Sequence, residues 1–341
     1  MSSARGGQPT LEEVATRAGV GRGTVSRVIN GSPQVSERTR ARVMQAVSDL
    51  GYVPNMAARA LVTRRTGAIA LVISEPEERI FGEPFFAGVV RGITTVVGES
   101  SRQLVLALVQ NREQAERLDS YLTPQHVDGV LVLSAHDSDT LPGRIQGRGL
   151  PIVLCGRPTS EQDLSWVDVD NIGGARAAAA HLLAEGRRRV ALIAGPQDMI
   201  AGRDRLEGYQ QALRDAGVAV DDSLVETGDF TEASGAGAMR ALLQRRPDVD
   251  AVFASSDLMA LGAIRVLREA GRSVPADVAV VGFDDGPVAA VAEPALTTVH
   301  QPMEQLGREM ATMLLSRIKG GGDSGPSHVV LDTHLVTRAS A

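Results

Sequence analysis

From Gly67 onward the sequence repeats one rhythm, in which short apolar runs alternate with longer stretches of helical period. The apolar runs are Ala68–Ile73, Leu104–Val109, Val127–Leu133, Pro151–Cys155, Arg189–Ala194, Asp250–Ala254 and Val278–Phe283. Strands that alternate with helices in this way build a parallel sheet covered by helices. About 275 residues are too many for one small sheet, so we predict two doubly wound subdomains. The chain is expected to cross between them near residues 155–166 and again near 298–302.

The composition fits this α/β fold and excludes several other classes of protein. Aromatic residues make up only 3% of the chain, so the cores consist of Val, Leu, Ile and Ala, as parallel sheets require. The one cysteine, Cys155, excludes an intramolecular disulfide. The six His lack metal-ligand spacing, no phosphate-binding glycine loop or nucleophile elbow is present, and no apolar run could span a membrane. We therefore expect neither an enzyme nor a cofactor, and a cytoplasmic location.

The first 53 residues have a different pattern, which predicts three short helices. Thr10 and Glu13 form a capping box at the start of the first helix, and Gly19 ends it. A second helix runs from about Gly21 to Ile29, and a third begins after Ser36 and stops at Gly51. Three helices this close together are typical of an all-α helix-turn-helix domain. We expect residues 54–66 to form a hinge and residues 67–341 to form the α/β core.

Charge is distributed unevenly along the chain. Residues 1–66 contain ten Arg, no Lys and four acidic residues, a net charge of +6, so that the remainder carries −12 of the total of −6. A basic amino-terminal domain on an acidic chain indicates an anionic partner such as DNA.

Several motifs resemble those of the lac-repressor/galactose-repressor family of transcription regulators. Residues 24–30, Thr-Val-Ser-Arg-Val-Ile-Asn, resemble the family's recognition helix, and residues 50–55 resemble its hinge entry. Further matching signatures lie at residues 203–209, 256–262, 282–285 and 296–302, so the resemblance extends from about residue 9 to 338. Residues 19–32, 83–88 and 195–199 resemble the cellobiose-responsive repressors of that family.

The resemblance implies that the amino-terminal domain reads double-stranded operator DNA. In that family Arg22, Gly23 and Arg27 lie at base-reading positions, and an Arg that meets guanine bidentately is the commonest specific contact. Leu61 would wedge into the minor groove. The remaining DNA-binding candidates, most of them suited to phosphate contacts, are Thr10, Thr24, Ser26, Asn30, Thr39, Tyr52 and Asn55.

The resemblance also implies a small-molecule sugar effector in a cleft of the core. Arg205 and Asp284 match the positions that hold sugar hydroxyls, and Asp229-Phe230 matches the position that lays an aromatic ring against the sugar. Phe85, Phe86, Arg157 and Ser256 are further candidates. Effector binding would favour one subdomain arrangement and release a homodimer from a palindromic operator.

Two alternatives remain open from the sequence. The core by itself resembles a periplasmic-type sugar-binding protein, and the same regulator could respond to a single sugar or a purine instead of a disaccharide. The sequence does not fix the operator, the direction of the effector's action, or whether the assembly is a dimer or a tetramer.

Overall fold

The computed structural model describes residues 9–29, 31–53, 65–158, 163–320 and 325–341. The chain divides into two units, one up to Thr66 and one from Gly67 onward. The predicted hinge lies almost entirely outside the described residues.

The described residues of the first unit form three helices, α1 (Leu11–Ala18), α2 (Arg22–Ile29) and α3 (Glu37–Leu50). The predicted capping box is confirmed, since Thr10 accepts from the amide of Glu13 and the Glu13 carboxylate accepts from the amide of Thr10. Gly19 and Gly51 both adopt the left-handed conformation that ends a helix. Val14, Val25 and Val43, one from each helix, are fully or almost fully buried in a small apolar core.

In the part of the second unit that the structure describes, the strands form two sheets of six, both covered by helices on two faces. The strand order is β11-β5-β4-β3-β1-β2 in the first sheet and β12-β10-β9-β8-β6-β7 in the second. Every described pair of neighbours is parallel except β10 with β12. This is the predicted doubly wound pair of subdomains.

The first subdomain consists of β1 (Ala68–Ile73), α4 (Glu77–Gly82), α5 (Pro84–Glu99), β2 (Gln103–Leu108), α6 (Arg112–Tyr121), β3 (Gly129–Leu133), α7 (Leu141–Gly147), β4 (Ile152–Cys155), β5 (Ser165–Val169), α13 (Met303–Lys319) and β11 (His328–Leu331). Its sheet is buried between α5 with α13 on one face and α6 with α7 on the other. Because helices cover both faces of this sheet, β1 and β3 are apolar along their whole length.

The second subdomain consists of α8 (Asn171–Ala184), β6 (Val190–Ala194), α9 (Ile200–Asp215), β7 (Val225–Thr227), α10 (Glu232–Arg245), β8 (Ala251–Ala254), α11 (Asp257–Glu269), β9 (Ala279–Asp284), α12 (Pro287–Val291), β10 (Thr297–His300) and β12 (His334–Val336). Helices α8 and α9 pack on one face of its sheet, and α10 and α11 pack on the other.

The crossings between subdomains differ in part from the prediction. Strand β5 still pairs with β4 in the first sheet, so the first crossing lies at Asp170 and not within residues 155–166. The second lies between β10 and α13, in the predicted region. A third, between β11 and β12, was not predicted, because strands of three or four residues at the end of the chain carry too little pattern.

Among the helices of the described residues, none combines the length and the apolar character that a membrane crossing requires.

Candidate functional sites

Helix α2 presents an exposed basic face. Arg22, Gly23 and Arg27 are exposed, whereas Val25 and Val28 point into the core of the first unit. The two sets lie on opposite sides because residues spaced by three or four, such as Val25 and Val28 or Gly23 and Arg27, share one face of a helix. Arg22 is the first residue of α2, and residues at the start of a recognition helix are those that meet base edges.

Both arginines have local partners in the absence of DNA. An Arg22 nitrogen lies 2.9 Å from a Glu12 carboxylate oxygen, with 71% of the Arg22 side chain exposed. The Nε of Arg27 donates to the carbonyl of Gly23 at 3.2 Å. An exposed ion pair of this kind contributes little stability, so DNA can displace it at small cost. A Cβ built on Gly23 meets no atom within 4 Å, which leaves room for close approach of another molecule.

The other DNA-binding candidates differ from one another in exposure and in the helix that carries them. Thr10 is exposed at the α1 cap, and the hydroxyl of Thr39 lies 2.9 Å from that of Ser36 at the α3 cap. Thr24 and Ser26 are half-buried on α2. Tyr52 departs from the predicted phosphate-contacting position, because it is only 8% exposed and packs in the core of the first unit. Asn30, Asn55 and Leu61 lie outside the described residues.

In the second unit a cleft of about 670 Å³, counting solvent at its mouth, opens between the two subdomains. Most of its lining follows the carboxyl ends of strands, since Arg157 follows β4, Phe230 follows β7 and Gln301 follows β10. This is where open parallel sheets bind ligands, because the strand ends and their loops meet at that edge. Five predicted effector residues line it, namely Phe85, Arg157, Arg205, Phe230 and Asp284.

Arg205 is the buried centre of the cleft. Its Nε donates to Asn171 Oδ1 at 2.9 Å, and Nη1 donates to the carbonyl of Ser255 at 2.6 Å. The guanidinium carbon lies 3.6 Å from the centroid of the Phe283 ring, which fixes the plane of the group. Nη1 also lies 3.7 Å from Asp284 Oδ1, so a cation and a carboxylate face the same space.

Asp284 occupies a strained backbone position. Its φ of 121° is rarely adopted by residues other than glycine, and Phe230 also has a positive φ, of 72°. Gln301 Nε2 donates to Asp284 Oδ1 at 2.6 Å. Burial raises the pKa of Asp284, against the opposing effect of the Arg205 guanidinium. Backbone strain and a buried charge that desolvation destabilises are both typical of residues in functional sites.

Each arginine of the cleft is paired with carboxylates. Arg79 contacts Glu75 at 2.5 Å and Glu83 at 3.1 Å. Arg157 forms an ion pair with Asp204 across the subdomains and lies 3.5 Å from Asp168. Arg205 is paired with Asp284. Among the described residues, each guanidinium group that lines the cleft therefore has a carboxylate partner.

Phe85 and Phe230 supply aromatic surface from the two subdomains. Phe85 is half-buried at the start of α5, and Phe230 follows β7. Phe230 packs close to Gly195, where a Cβ would lie 2.4 Å from its ring, so glycine is needed there. The guanidinium carbons of Arg79 and Arg205 lie 5.1 and 5.7 Å from the Phe230 centroid.

Three predicted effector residues do not line the cleft. Phe86 is 1% exposed and packs in the core of the first subdomain, edge-on to Phe85 at 5.5 Å. The Asp229 carboxylate points away and accepts from the amide and hydroxyl of Thr231. Ser256 caps α11 through the amide of Met259 and donates to the carbonyl of Phe230. Phe86 and Ser256 therefore support lining residues from behind, and Asp229 forms the turn that carries Phe230.

Sequence reasoning missed several residues of the cleft wall, chiefly Arg79, Glu83, Asp168 and Gln301. Asp168 lies within a strand and belongs to no recognisable motif, whereas Gln301 lies in the signature at residues 296–302 without being a predicted effector residue. Glu75, Arg79 and Glu83 do carry a signal, since acidic and basic residues alternate at a spacing of four. That pattern usually marks an exposed helix face, and here it is buried.

Side-chain contacts join the subdomains at three places along one rim of the cleft, beside a backbone hydrogen bond from Asp137 to Asp198. His136 Nδ1 lies 2.8 Å from Asp198, Arg203 pairs with Asp137 at 2.8 Å, and Arg157 pairs with Asp204. His136 Nε2 also lies 3.3 Å from the buried Glu75. The hydrogen bonds to Glu75 and Asp198 raise the pKa of His136 to about 9, against the effect of burial.

Comparisons with known proteins place these sites in a family. Residues 10–55 match the family described as bacterial regulatory proteins, lacI family, and residues 179–341 match the periplasmic binding protein-like domain. The HTH-type transcriptional regulator CelR of Thermobifida fusca is 57% identical over 335 residues, which cover 98% of each chain. The chain belongs to the lacI family of bacterial regulatory proteins.

Other transcription regulators match almost the whole length of this chain. The HTH-type transcriptional repressor CytR of Escherichia coli K12 is 32% identical over 97% of this chain and 96% of its own. A solved structure of a CelR–cellobiose complex is 55% identical, covers 98% of this chain and 100% of its own, and has a TM-score of 0.79. The lac repressor dimer bound to operator and the anti-inducer ONPF is 28% identical, covers 98% and 99%, and has a TM-score of 0.85.

This lacI-family protein is therefore a DNA-binding transcription regulator, with a helix-turn-helix head and a core of the periplasmic-binding-protein fold. Its relatives are transcriptional regulators and not enzymes. The alternative of a sugar-binding protein without a regulatory role does not account for the head.

Proposed function

We propose that this regulator binds a palindromic operator as a homodimer, and that an uncharged sugar, cellobiose, binds the cleft and lowers operator affinity. The observation that carries the choice of effector class is the charge balance of the cleft.

A charged effector is disfavoured by that balance. Phosphates and carboxylates are held by guanidinium groups with donors to spare. Here Arg79, Arg157 and Arg205 already share their charge with Glu75, Glu83, Asp168, Asp204 and Asp284. A sugar hydroxyl both donates and accepts, so it can bridge an arginine and a carboxylate without adding charge. The cleft therefore favours a neutral, hydroxyl-rich ligand over a sugar phosphate.

Cellobiose is favoured among neutral sugars for two reasons. Phe85 and Phe230 offer aromatic surface from both subdomains, which two sugar rings use better than one. The CelR–cellobiose complex, at 55% sequence identity, is the complex of a relative with that disaccharide. A purine would use the aromatic surface but leave most of the charged pairs without hydroxyl partners.

Calorimetric titration of the full-length protein tests the effector class. We expect heat of binding with cellobiose, weaker binding of glucose and maltose, and none with glucose 6-phosphate or hypoxanthine. Tight binding of the phosphate or the purine, and none of cellobiose, would refute the proposal while leaving the family assignment intact.

The homodimer is supported by the single head in each chain and by exposed apolar side chains on the core. Phe81 and Val291 are 74% and 79% exposed, and Leu106 on the edge strand β2 is 47% exposed. Burial of these side chains against a second chain would remove apolar surface from water. Sedimentation velocity with labelled operator should give two chains per site, and tight binding of one chain to a half-site would contradict the dimer.

We further propose that the sugar is bound and released unchanged, in the cytoplasm where the operator lies. Chromatography of cellobiose after prolonged incubation with the protein should recover all of it, and appearance of glucose would contradict this.

A further inference from the structure

Arg79 and Glu83 form a second polar pair in the wall of the cleft, on the first subdomain. Glu83 is the residue at which α4 ends and α5 begins, and Arg79 lies one helical turn before it. Both line the cleft, and their side chains are only 9% and 8% exposed. Glu75, one turn earlier again, holds Arg79 from the other side at 2.5 Å.

This pair retains hydrogen-bonding capacity that no described residue uses. Arg79 donates from Nε to Glu83 Oε2 and from Nη1 to Glu75 Oε1, and its Nη2 has no hydrogen-bond partner among the described residues. Glu83 Oε2 accepts from Arg79, and no described residue donates to its Oε1. Donor capacity on Arg79 and acceptor capacity on Glu83 thus remain on adjacent side chains that are buried yet open to the cleft.

Burial makes an ion pair of this kind a poor source of stability. Removing two carboxylates and a guanidinium from water costs several kcal/mol per ion, and an apolar cluster of equal volume often stabilises a fold as well or better. Burial raises the pKa of Glu83 to about 7 in spite of Arg79, because desolvation disfavours the charged carboxylate. A carboxyl group near its pKa can both accept from a hydroxyl and donate to one.

The second pair lies close to the first one. Arg79 and Arg205 both lie against Phe230, with their guanidinium carbons 5.1 and 5.7 Å from its centroid. The charges of Glu83 and Asp284 also affect each other, since each carboxylate is buried in the same cleft. Two of the arginine–carboxylate pairs of the cleft, one on each subdomain, thus lie around one aromatic ring.

We infer that Arg79 and Glu83 bind hydroxyl groups of the second sugar ring, and so make the cleft select a disaccharide over a single sugar. This inference rests on the proposed function, because it takes Arg205 and Asp284 to hold the first ring. A vicinal diol matches the pair, since one hydroxyl accepts from Arg79 Nη2 and its neighbour donates to Glu83 Oε1.

Calorimetric titration of the full chain with cellobiose and glucose tests the inference in four proteins. These are the wild type, Glu83→Leu, the conservative Glu83→Gln, and a control, Glu78→Gln, which changes an exposed carboxylate of the same helix α4. Thermal unfolding and operator binding without sugar are measured for each variant, so that a folding defect is recognised.

We expect Glu83→Leu to weaken cellobiose binding about 10- to 100-fold, the range for losing a hydrogen bond to a charged group, and glucose binding less than about twofold. Glu83→Gln should lie in between, and Glu78→Gln should equal the wild type. Unchanged cellobiose binding in folded Glu83→Leu, or an equal loss for both sugars, would overturn the inference. Failure of the wild type to bind cellobiose would instead refute the proposed function, and the inference with it.

Discussion

At the scale of single residues, Asp284 is the side chain on which effector binding depends most directly. Its carboxylate shares the cleft with Arg205, and Asn has nearly the same size and shape at this strained backbone position. We expect Asp284→Asn to fold and to bind operator as the wild type does. Cellobiose affinity should fall about 10- to 100-fold, because a charge-assisted hydrogen bond is lost.

Fluorescence of the single Trp166 during a sugar titration offers a readout for that variant. A wild-type midpoint for sugar binding in Asp284→Asn would show that the carboxylate is structural and that the sugar lies elsewhere in the cleft.

Arg27 is the corresponding residue in the head. Because its exposed side chain leaves α2 beside Gly23, we expect Arg27→Ala to lose about 1–3 kcal/mol of discrimination between the operator and a site with one altered base pair. Arg38→Ala, an exposed arginine on α3, is the matched control and should change affinity equally for both sites. Competition gels with the two DNAs measure both quantities, and intact discrimination in Arg27→Ala would assign it to phosphate contacts.

At the scale of elements, the packing of α5 on α13 depends on a glycine at position 92. A Cβ on Gly92 would lie 2.0 Å from the carbonyl oxygen of Glu304, whereas a Cβ on Gly98, in the same helix, meets nothing within 4 Å. We expect Gly92→Ala to lower the free energy of unfolding by at least about 2 kcal/mol, because the backbones must separate.

Gly98→Ala should instead raise the free energy of unfolding by about 0.5–1 kcal/mol, through helix propensity alone. Urea denaturation of both variants provides the comparison. Equal stabilities of the two would mean that α5 and α13 are not in backbone contact.

The rim between the loops after β3 and β6 should make stability depend on pH. His136 faces Glu75 and Asp198, and its pKa of about 9 lies above the ordinary value near 6.5. Because the folded state binds the proton of His136 more tightly than the unfolded state does, this histidine adds to the free energy of unfolding. The contribution is complete below pH 6.5 and is lost as the pH rises through 9. We expect the wild type to lose stability between pH 7 and 9 more steeply than His136→Gln, as measured by urea denaturation. Parallel pH profiles for the two proteins would contradict the contact.

At the scale of the whole molecule, the alternation of apolar runs and helices was sufficient to predict two doubly wound subdomains. It did not predict β5 or β10, whose buried residues are partly polar. Thr297 and Thr298 are fully buried in β10 because Ser340 and Asp257 meet their hydrogen-bonding groups. Partners so distant in sequence cannot be inferred from a local pattern, and the position of the first crossing was therefore wrong.

The effector cleft was predictable to the extent that it uses residues within family signatures. Arg205 and Asp284 lie in such signatures, and both line the cleft. Arg79 lies outside them, and Glu83 lies in residues 83–88 without being a predicted effector residue, because the spacing of the two indicates an exposed helix face. Only tertiary structure shows them buried, because what covers them includes Phe230 from the other subdomain.

Coupling between sugar and DNA is the central claim, and operator binding measured at several fixed cellobiose concentrations tests it most directly. Cellobiose should lower operator affinity about 5- to 150-fold, the usual range of allosteric coupling, and operator DNA should lower cellobiose affinity by the same factor. Maltose at equal concentration should have a much smaller effect. Operator affinity that stays constant at saturating cellobiose would contradict the account, because a ligand that binds both states equally shifts no equilibrium.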